Sequence, residues 1–152
     1  MALNDPTPKK RILYLCTGNS CRSQMAEALT NALRGGEFEA HSAGVAPKPV
    51  DPRAVKALAE IGLDISGQAS KDLERFIGQP WDWVVTLCDN ARESCPFFPG
   101  QAKRAHRGFA DPPVLAQGAA SEEAAMAPYR QARDQIRAFV EALPQSLQEP
   151  DE

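Results

Sequence analysis

The sequence predicts an α/β fold in three layers, a four-stranded parallel sheet flanked by helices. Three observations carry this expectation. Short apolar runs such as Ile12-Leu13-Tyr14-Leu15 alternate with segments of helical period along the chain, and that alternation implies right-handed βαβ units and a parallel sheet. The run around Val84-Val85 is apolar at consecutive positions, as in a strand buried on both faces. The chain has 152 residues, 43% apolar and 24% charged. That suits one domain with its own core, in no need of disulfides or structural metal.

The elements follow in order. Residues 1–10, with Pro6 and Pro8, read as a flexible leader before a single catalytic domain over 11–143. Arg11–Leu15 is a short buried strand. Ser23–Arg34 is a helix with Met25, Leu29, Ala32 and Leu33 on one face, stopped by Gly35-Gly36. Glu37–Ala43 is a second strand. Asp51-Pro52 is a helix cap followed by proline in the first turn, and the helix carries Val55, Leu58 and Ile61 inward before ending at Gly62. Ser70–Ile77 is a shorter helix ending at Gly78. Trp81–Leu87 is the third strand, 88–100 a loop closed by Pro96 and Pro99, and Ala105–Phe109 a weak fourth strand. Residues 112–120 form a Pro/Gly/Ala loop. Ser121-Glu122-Glu123 opens a helical stretch that Pro128 is expected to kink or restart. The final helix reaches Leu143 on the stripe Tyr129, Ala132, Ile136, Phe139, Val140 and Leu143. Pro144 ends it, and 144–152 is a loose polar tail.

Several function classes are excluded early. A formal net charge of −3 argues against a general nucleic-acid binder. No apolar run has the length a bilayer needs, and Met1–Arg11 lacks a secretory h-region, so a cytoplasmic location is expected. In that compartment paired cysteines are more often catalytic than structural. The gaps Cys16 to Cys21 and Cys88 to Cys95 do not match the two-residue knuckle of a zinc site, so no metal is assigned.

The chemistry concentrates in Cys16-Thr17-Gly18-Asn19-Ser20-Cys21-Arg22-Ser23, between the first strand and the first helix. Successive backbone N–H groups in such a turn curl around one point, and the helix directs its positive end there. Ser23 offers a hydroxyl donor to Cys16. Arg22 offers a planar fork that matches two oxygens of a tetrahedral oxyanion. Gly18 permits close backbone approach and Asn19 tolerates a left-handed turn. Thr17 to Ser23 thus form an oxyanion cradle with the Cys16 sulfur beneath it. A depressed Cys16 pKa is expected. A nucleotide P-loop is a poor match, because no Gly-Lys-Ser/Thr follows. Ligands of open parallel sheets bind beyond the carboxyl ends of the strands. Cys16, Cys88 and Asp111 each follow a strand onto that rim, and Cys88 with Cys95 suggests a redox relay.

The run CTGNSCRSQMAE, with SAG at 42–44, VVTLC at 84–88, a cysteine seven positions later and HRGFADP at 106–112, resembles the arsenate reductases built on the low-molecular-weight tyrosine phosphatase fold. The resemblance spans roughly residues 11–143. It implies that Cys16 attacks arsenic, that Asp111 protonates the departing oxygen, and that Cys88 then attacks Cys16 to release arsenite. Cys95 would next attack Cys88, and thioredoxin would reduce the Cys88–Cys95 disulfide. No bound cofactor is expected, only an external thiol reductant. Glutathione with glutaredoxin, or another small thiol, is the alternative reductant, and a tyrosine phosphatase the alternative enzyme. A regulator using the same thiols has no DNA-reading helix pair or extra domain in its favour.

Other residues carry open readings. Cys21 reads as a loop packing residue, or as a protective partner of Cys16 under oxidation. Asp111 has a turn cap before Pro112-Pro113 as its alternative role. His106 reads as a structural hydrogen-bonder. Arg107 stands where these reductases commonly have tryptophan. Some members hold potassium near residues like Asn19, Glu27 and Ser42 with a further carboxylate. Lys71 aligns with that carboxylate, and Asp72 is adjacent.

Overall fold

The computed structural model describes residues 8–88 and 102–148. Its elements are β1 (Lys10–Cys16), α1 (Arg22–Arg34), β2 (Phe38–Gly44), α2 (Pro52–Ala59), a 3-10 turn (Leu73–Phe76), β3 (Trp83–Thr86), β4 (Lys103–His106), α3 (Pro112–Leu115), α4 (Glu122–Glu141) and α5 (Gln145–Gln148). The four strands form one parallel sheet in the order β2-β1-β3-β4.

The central strand explains the layering. Ile12 and Tyr14 of β1 join a core cluster with Met25, Leu29, Leu58, Met126, Ile136 and Phe139. Leu13 and Leu15 point the other way, onto Ala43, Leu73, Phe76, Trp81 and Val84. Period-two alternation therefore feeds two cores from one strand, and all four side chains are fully buried.

Several sequence expectations are corrected. The helix expected over Ser70–Ile77 shrinks to the 3-10 turn. Residues 70–72 commit their backbone elsewhere: Lys71 N donates to Asn19 Oδ1 at 2.8 Å, and Lys71 O accepts from Gly44 N at 2.8 Å. Asp72 pairs with Gly44 and caps the turn by accepting from Glu74 N. The fourth strand starts two residues earlier than expected and ends at His106. Its KRAH sequence carries little apolar signal because, among the described residues, only its β3 edge is paired. Within 112–120, Pro112–Leu115 makes one helical turn, since two prolines preset its first turn. In α2 the buried residues are Ala54, Ala57 and Leu58, while Val55 and Ile61 pack at the core's margin.

Pro128 neither ends nor restarts α4, which runs unbroken over 20 residues. An interior proline costs about 3 kcal/mol. Met126, Tyr129, Ile136, Phe139 and Val140 are all buried, and burial of each large apolar side chain contributes about 1.5–3 kcal/mol, so burial outweighs the break. Arg34 Nη1 donates to the carbonyls of Val140, Glu141 and Leu143 and ties down the far end of this helix. The loose tail expected after Pro144 is corrected over 145–148. Leu147 is buried, and Ser146 Oγ donates to Phe139 O at 2.8 Å. Residues 1–7 of the leader, 149–152 of the tail and most of the 88–100 loop lie outside the described residues.

Candidate active site

The turn between β1 and α1 has its carbonyls pinned outward. Thr17 O, Gly18 O and Ser20 O accept from the backbone N–H of Ala46, Lys48 and Asp51 at 2.9, 2.8 and 2.9 Å. Asn19 O accepts from Gln24 Nε2 at 2.9 Å and Ser70 Oγ at 2.8 Å. With the carbonyls held on one side, the N–H groups gather on the other, as an anion nest requires. Asn19 takes the left-handed turn at φ 47° and is fully buried. Gly44 is fixed by close approach, because a Cβ there would stand 2.8 Å from Asn19 N and Thr17 O. Helix α1 starts from Cys21 with no side-chain cap and no acidic residue in its first turn, so its N-terminal donors remain directed at the same point. Asn19 Nδ2 donates to Ser23 Oγ at 2.8 Å, which leaves the Ser23 hydroxyl proton to donate elsewhere.

Arg22 is 7% exposed. Its Nη1 donates to Phe109 O at 2.8 Å, and Nη2 lies 3.6 Å from Asp111 Oδ1. Its Nε is buried with no hydrogen-bond partner among the described residues. A buried, unsatisfied guanidinium donor at the wall of a nest fits an anion acceptor. Asp111 occupies the N-cap position of α3, yet its side chain makes no capping hydrogen bond. The turn-cap reading therefore loses its main support.

Cys16 is buried at the C-terminal end of β1, and Cys88 is half-buried just beyond β3. Cys88 Sγ lies 3.2 Å from Thr17 Oγ1, next in the chain to Cys16, so the Cys88 thiol acts directly on the Cys16 proton. This arrangement reverses the expected direction of the Cys16 pKa. The Cys88 hydrogen bond is the largest cause pushing the Cys16 thiol upward, and burial adds to it. The Arg22 charge and the Thr17 N–H act in the opposite sense but do not prevail. Burial, then the Asp51 charge, pushes the Cys21 thiol up as well. Cys95 lies outside the described residues.

A model of the low molecular weight phosphotyrosine protein phosphatase family matches residues 11–151. An arsenate reductase of Halalkalibacterium halodurans is 47% identical over 128 residues, 84% of this chain and 90% of that one. One of Bacillus subtilis is 46% identical over 127 residues, 84% and 89% of the two chains. The chain belongs to the low molecular weight phosphotyrosine protein phosphatase family, in its arsenate reductase branch. A solved structure of an arsenate reductase in the oxidized state is similar at TM-score 0.74 and 30% identity, across 91% of this chain and 98% of that one.

The residues that the resemblance implied for a potassium ion do not fit one here. Lys71 Nζ lies 3.5 Å from Glu27 Oε1 and donates to Ala69 O at 2.8 Å. Ser42 Oγ donates to the same Glu27 oxygen. An ammonium thus stands among the donors a cation would use. His106 is a structural hydrogen-bonder, its Nδ1 2.8 Å from Thr86 Oγ1. Arg107 sets its guanidinium 5.6 Å from the Phe139 ring centroid.

The sequence reading missed the belt of residues that shapes the loop from behind: Gln24, Ala46, Lys48 and Ser70. It also missed Tyr129, whose hydroxyl donates to Asp51 Oδ2 and links α4 to that belt. The one available signal was the proline-rich run Pro47-Lys48-Pro49, marking a rigid segment after the SAG motif. No helix of the described residues is long and apolar enough to cross a membrane.

Proposed function

We propose that this chain reduces arsenate to arsenite by a three-cysteine relay, with thioredoxin as the external reductant. As Cys16 attacks arsenic, its thiol proton passes by way of Asp111 to the departing hydroxyl of hydrogen arsenate, so the oxygen leaves as water and a sulfur–arsenic(V) bond forms. The nest, Arg22 and Ser23 hold the remaining oxygens. The Cys88 thiolate then attacks the Cys16 sulfur. The sulfur–arsenic bond breaks with its electron pair going to arsenic, which departs as arsenite, and a Cys16–Cys88 disulfide forms. Cys95 attacks Cys88, frees Cys16 and carries the disulfide to Cys88–Cys95. The net change is two thiols oxidised to one disulfide per arsenic(V) reduced to arsenic(III). Thioredoxin returns the two electrons.

The observation that supports this reading is the Cys88 thiol 3.2 Å from Thr17 Oγ1, beside Cys16 at one rim of the sheet. A phosphatase needs the nucleophile, the fork and the acid, but no second thiol on the first. Arsenic(V) accepts two electrons readily and phosphorus(V) does not, so the second thiol is useful only with the former.

Single-turnover mapping tests the order of sulfurs. With arsenate and no reductant, wild-type protein should end with a Cys88–Cys95 disulfide and free Cys16. Cys95→Ser should release one equivalent of arsenite and stop at Cys16–Cys88. Cys88→Ser should release none. Multi-turnover activity of Cys88→Ser with thioredoxin, thioredoxin reductase and NADPH alone would refute the relay. Loss of thioredoxin-supported turnover, with turnover on glutathione and glutaredoxin, would refute only the choice of reductant.

A further inference from the structure

Lys48 is a cation laid beside Gly18 of the candidate anion cradle. It lies between Pro47 and Pro49, and a following proline excludes the helical region for the residue before it. Its backbone is fixed at both ends of the residue: the N–H donates to Gly18 O at 2.8 Å, and the carbonyl accepts from Ser70 Oγ. Its stem is laid against the loop. Lys48 Cδ and Cγ lie 3.4 and 3.5 Å from the position a Cβ would take on Gly18. The ammonium is only two bonds beyond Cδ.

The charge state of its neighbours sets Lys48 apart. Arg22 lies beside Asp111, Lys71 beside Glu27, and Arg53 beside Glu122. Lys48 is exposed and makes no ion pair among the described residues. The protein as a whole carries a formal charge of −3, so a multiply charged anion approaches against the net field. A cation on a fixed backbone at the loop, with no ion pair among the described residues, is the kind of group that raises local anion concentration and holds oxygen atoms pointing out of a nest.

We propose that Lys48 is a further substrate-binding residue: its ammonium, carried across Gly18, captures the incoming tetrahedral oxyanion and holds its outward oxygens while Arg22 and the loop N–H groups hold the inner ones. The inference rests on the oxyanion reading of the Cys16–Ser23 loop. As a point charge on a flexible tip, Lys48 recognises charge and not planar geometry. It therefore serves arsenate, phosphate and sulfate alike, and sets affinity without choosing among them.

The test uses the full chain and three variants, Lys48→Gln, Lys48→Arg and Lys48→Glu. Two readouts are taken: steady-state arsenate reduction, and protection of Cys16 from alkylation by inorganic phosphate, which requires no turnover. Lys48→Gln should raise KM for arsenate about threefold to tenfold, in line with an exposed charge acting on a dianion, while kcat changes less than twofold. The phosphate concentration giving half-protection should rise by the same factor. Lys48→Glu should exceed both effects, and Lys48→Arg should restore wild-type values. The salt dependence of kcat/KM should be shallower in Lys48→Gln. A purely structural lysine would lower the melting temperature and kcat with no change in salt slope, and that pattern overturns the proposal. So does an unchanged KM and half-protection in Lys48→Gln when wild-type protein binds both anions. Failure of wild-type Cys16 to be protected by phosphate or to react with arsenate would instead overturn the oxyanion reading beneath it.

Discussion

The carboxylate of Asp111 lies 3.6 Å from Nη2 of Arg22. One member of the pair is almost wholly inside the protein and the other is close to half exposed, with side-chain exposures of 9% and 43%. The guanidinium is thereby held inside the protein while the carboxylate keeps access to solvent, as the proposed fork and general acid require. Asp111→Asn keeps the shape and removes the proton. It should slow formation of the first arsenic adduct by about 10²-fold or more, the usual contribution of a positioned acid. Subsequent thiol exchange should keep its rate. Rapid-quench single-turnover kinetics separates the two, and adduct formation at wild-type speed would assign Asp111 to a structural role.

Arg22 divides its guanidinium between Phe109 O, Asp111 and a buried Nε with no partner among the described residues. Lysine retains the charge but cannot present two donors in one plane. Arg22→Lys should therefore cost about 10²–10³ in kcat/KM, comparable to loss of an oxyanion donor. Near wild-type turnover in a folded Arg22→Lys protein would contradict the fork role.

The Cys88 hydrogen bond is the largest cause of the raised Cys16 pKa. Cys88→Ala removes it, so the Cys16 pKa should fall and alkylation of Cys16 at neutral pH should accelerate relative to wild type. On the proposed relay, Cys16 would thus become more reactive in a variant that lacks the second thiol. Slower alkylation in Cys88→Ala would show that Cys88 supports the Cys16 thiolate instead of opposing it.

That sign was not legible in the sequence, and the reason is physical. Cys16, Arg22 and Ser23 are close in the chain, so their chemistry reads locally as a thiolate cradle. Cys88 reaches Cys16 only through the pairing of β1 with β3, and its effect on the Cys16 proton depends on that contact. The sheet was legible because the centres of β1 (Ile12 to Leu15) and β3 (Val84-Val85) are buried on both faces and apolar at consecutive positions. The edge strand β4 and the Ser70–Asp72 segment were misread for the opposite reason. Lys103-Arg104 faces solvent, and Lys71 and Asp72 spend backbone groups on Asn19 and Gly44. Tertiary hydrogen bonds of this kind leave no periodic trace.

Four buried acids set an alkaline limit on stability. Tyr14, Tyr129, Cys16 and Cys21 all have raised pKa values, with burial the leading cause for both tyrosines and Cys21. Above about pH 8.5 the unfolded chain releases thiol protons, and near pH 10 both tyrosine protons, that the folded chain retains. The folded state then binds more protons, so stability is fully present below pH ~8.5 and falls as pH rises. The melting temperature should decline between pH 8 and 10.5, and Tyr14→Phe should make the part above pH ~10 less steep without abolishing it. At the other end, Glu60 is lowered to about 2 by Arg130 first and Arg133 second. Its contribution is present above its ordinary range near pH 4.3 and is lost as pH falls through about 2.

Lys71 and Glu27 are both largely buried, with side-chain exposures of 13% and 15%. Removing the ammonium leaves the Glu27 carboxylate with the Ser42 hydroxyl beside the loop, and an uncompensated charge away from water is costly. At 3.5 Å, and with some solvent access, Lys71→Met should destabilise the fold by about 1–2 kcal/mol, which corresponds to roughly 2–8 °C in Tm for a chain of this size. Glu27→Gln alone strands the ammonium, which still has Ala69 O, and should cost less. In the double variant neither charge remains to be desolvated, so it should recover part of the Lys71→Met loss, giving a non-additive cycle. Strict additivity would mean that the two charges do not interact. Potassium ions added to Lys71→Met supply the test of replacement. If the ammonium stands in for a cation among Asn19, Glu27 and Ser42, potassium but not a bulky organic cation should raise the Tm of Lys71→Met and leave wild type unchanged. An equal response of both proteins would show that the Lys71 ammonium does not stand in for a cation and only pairs with Glu27.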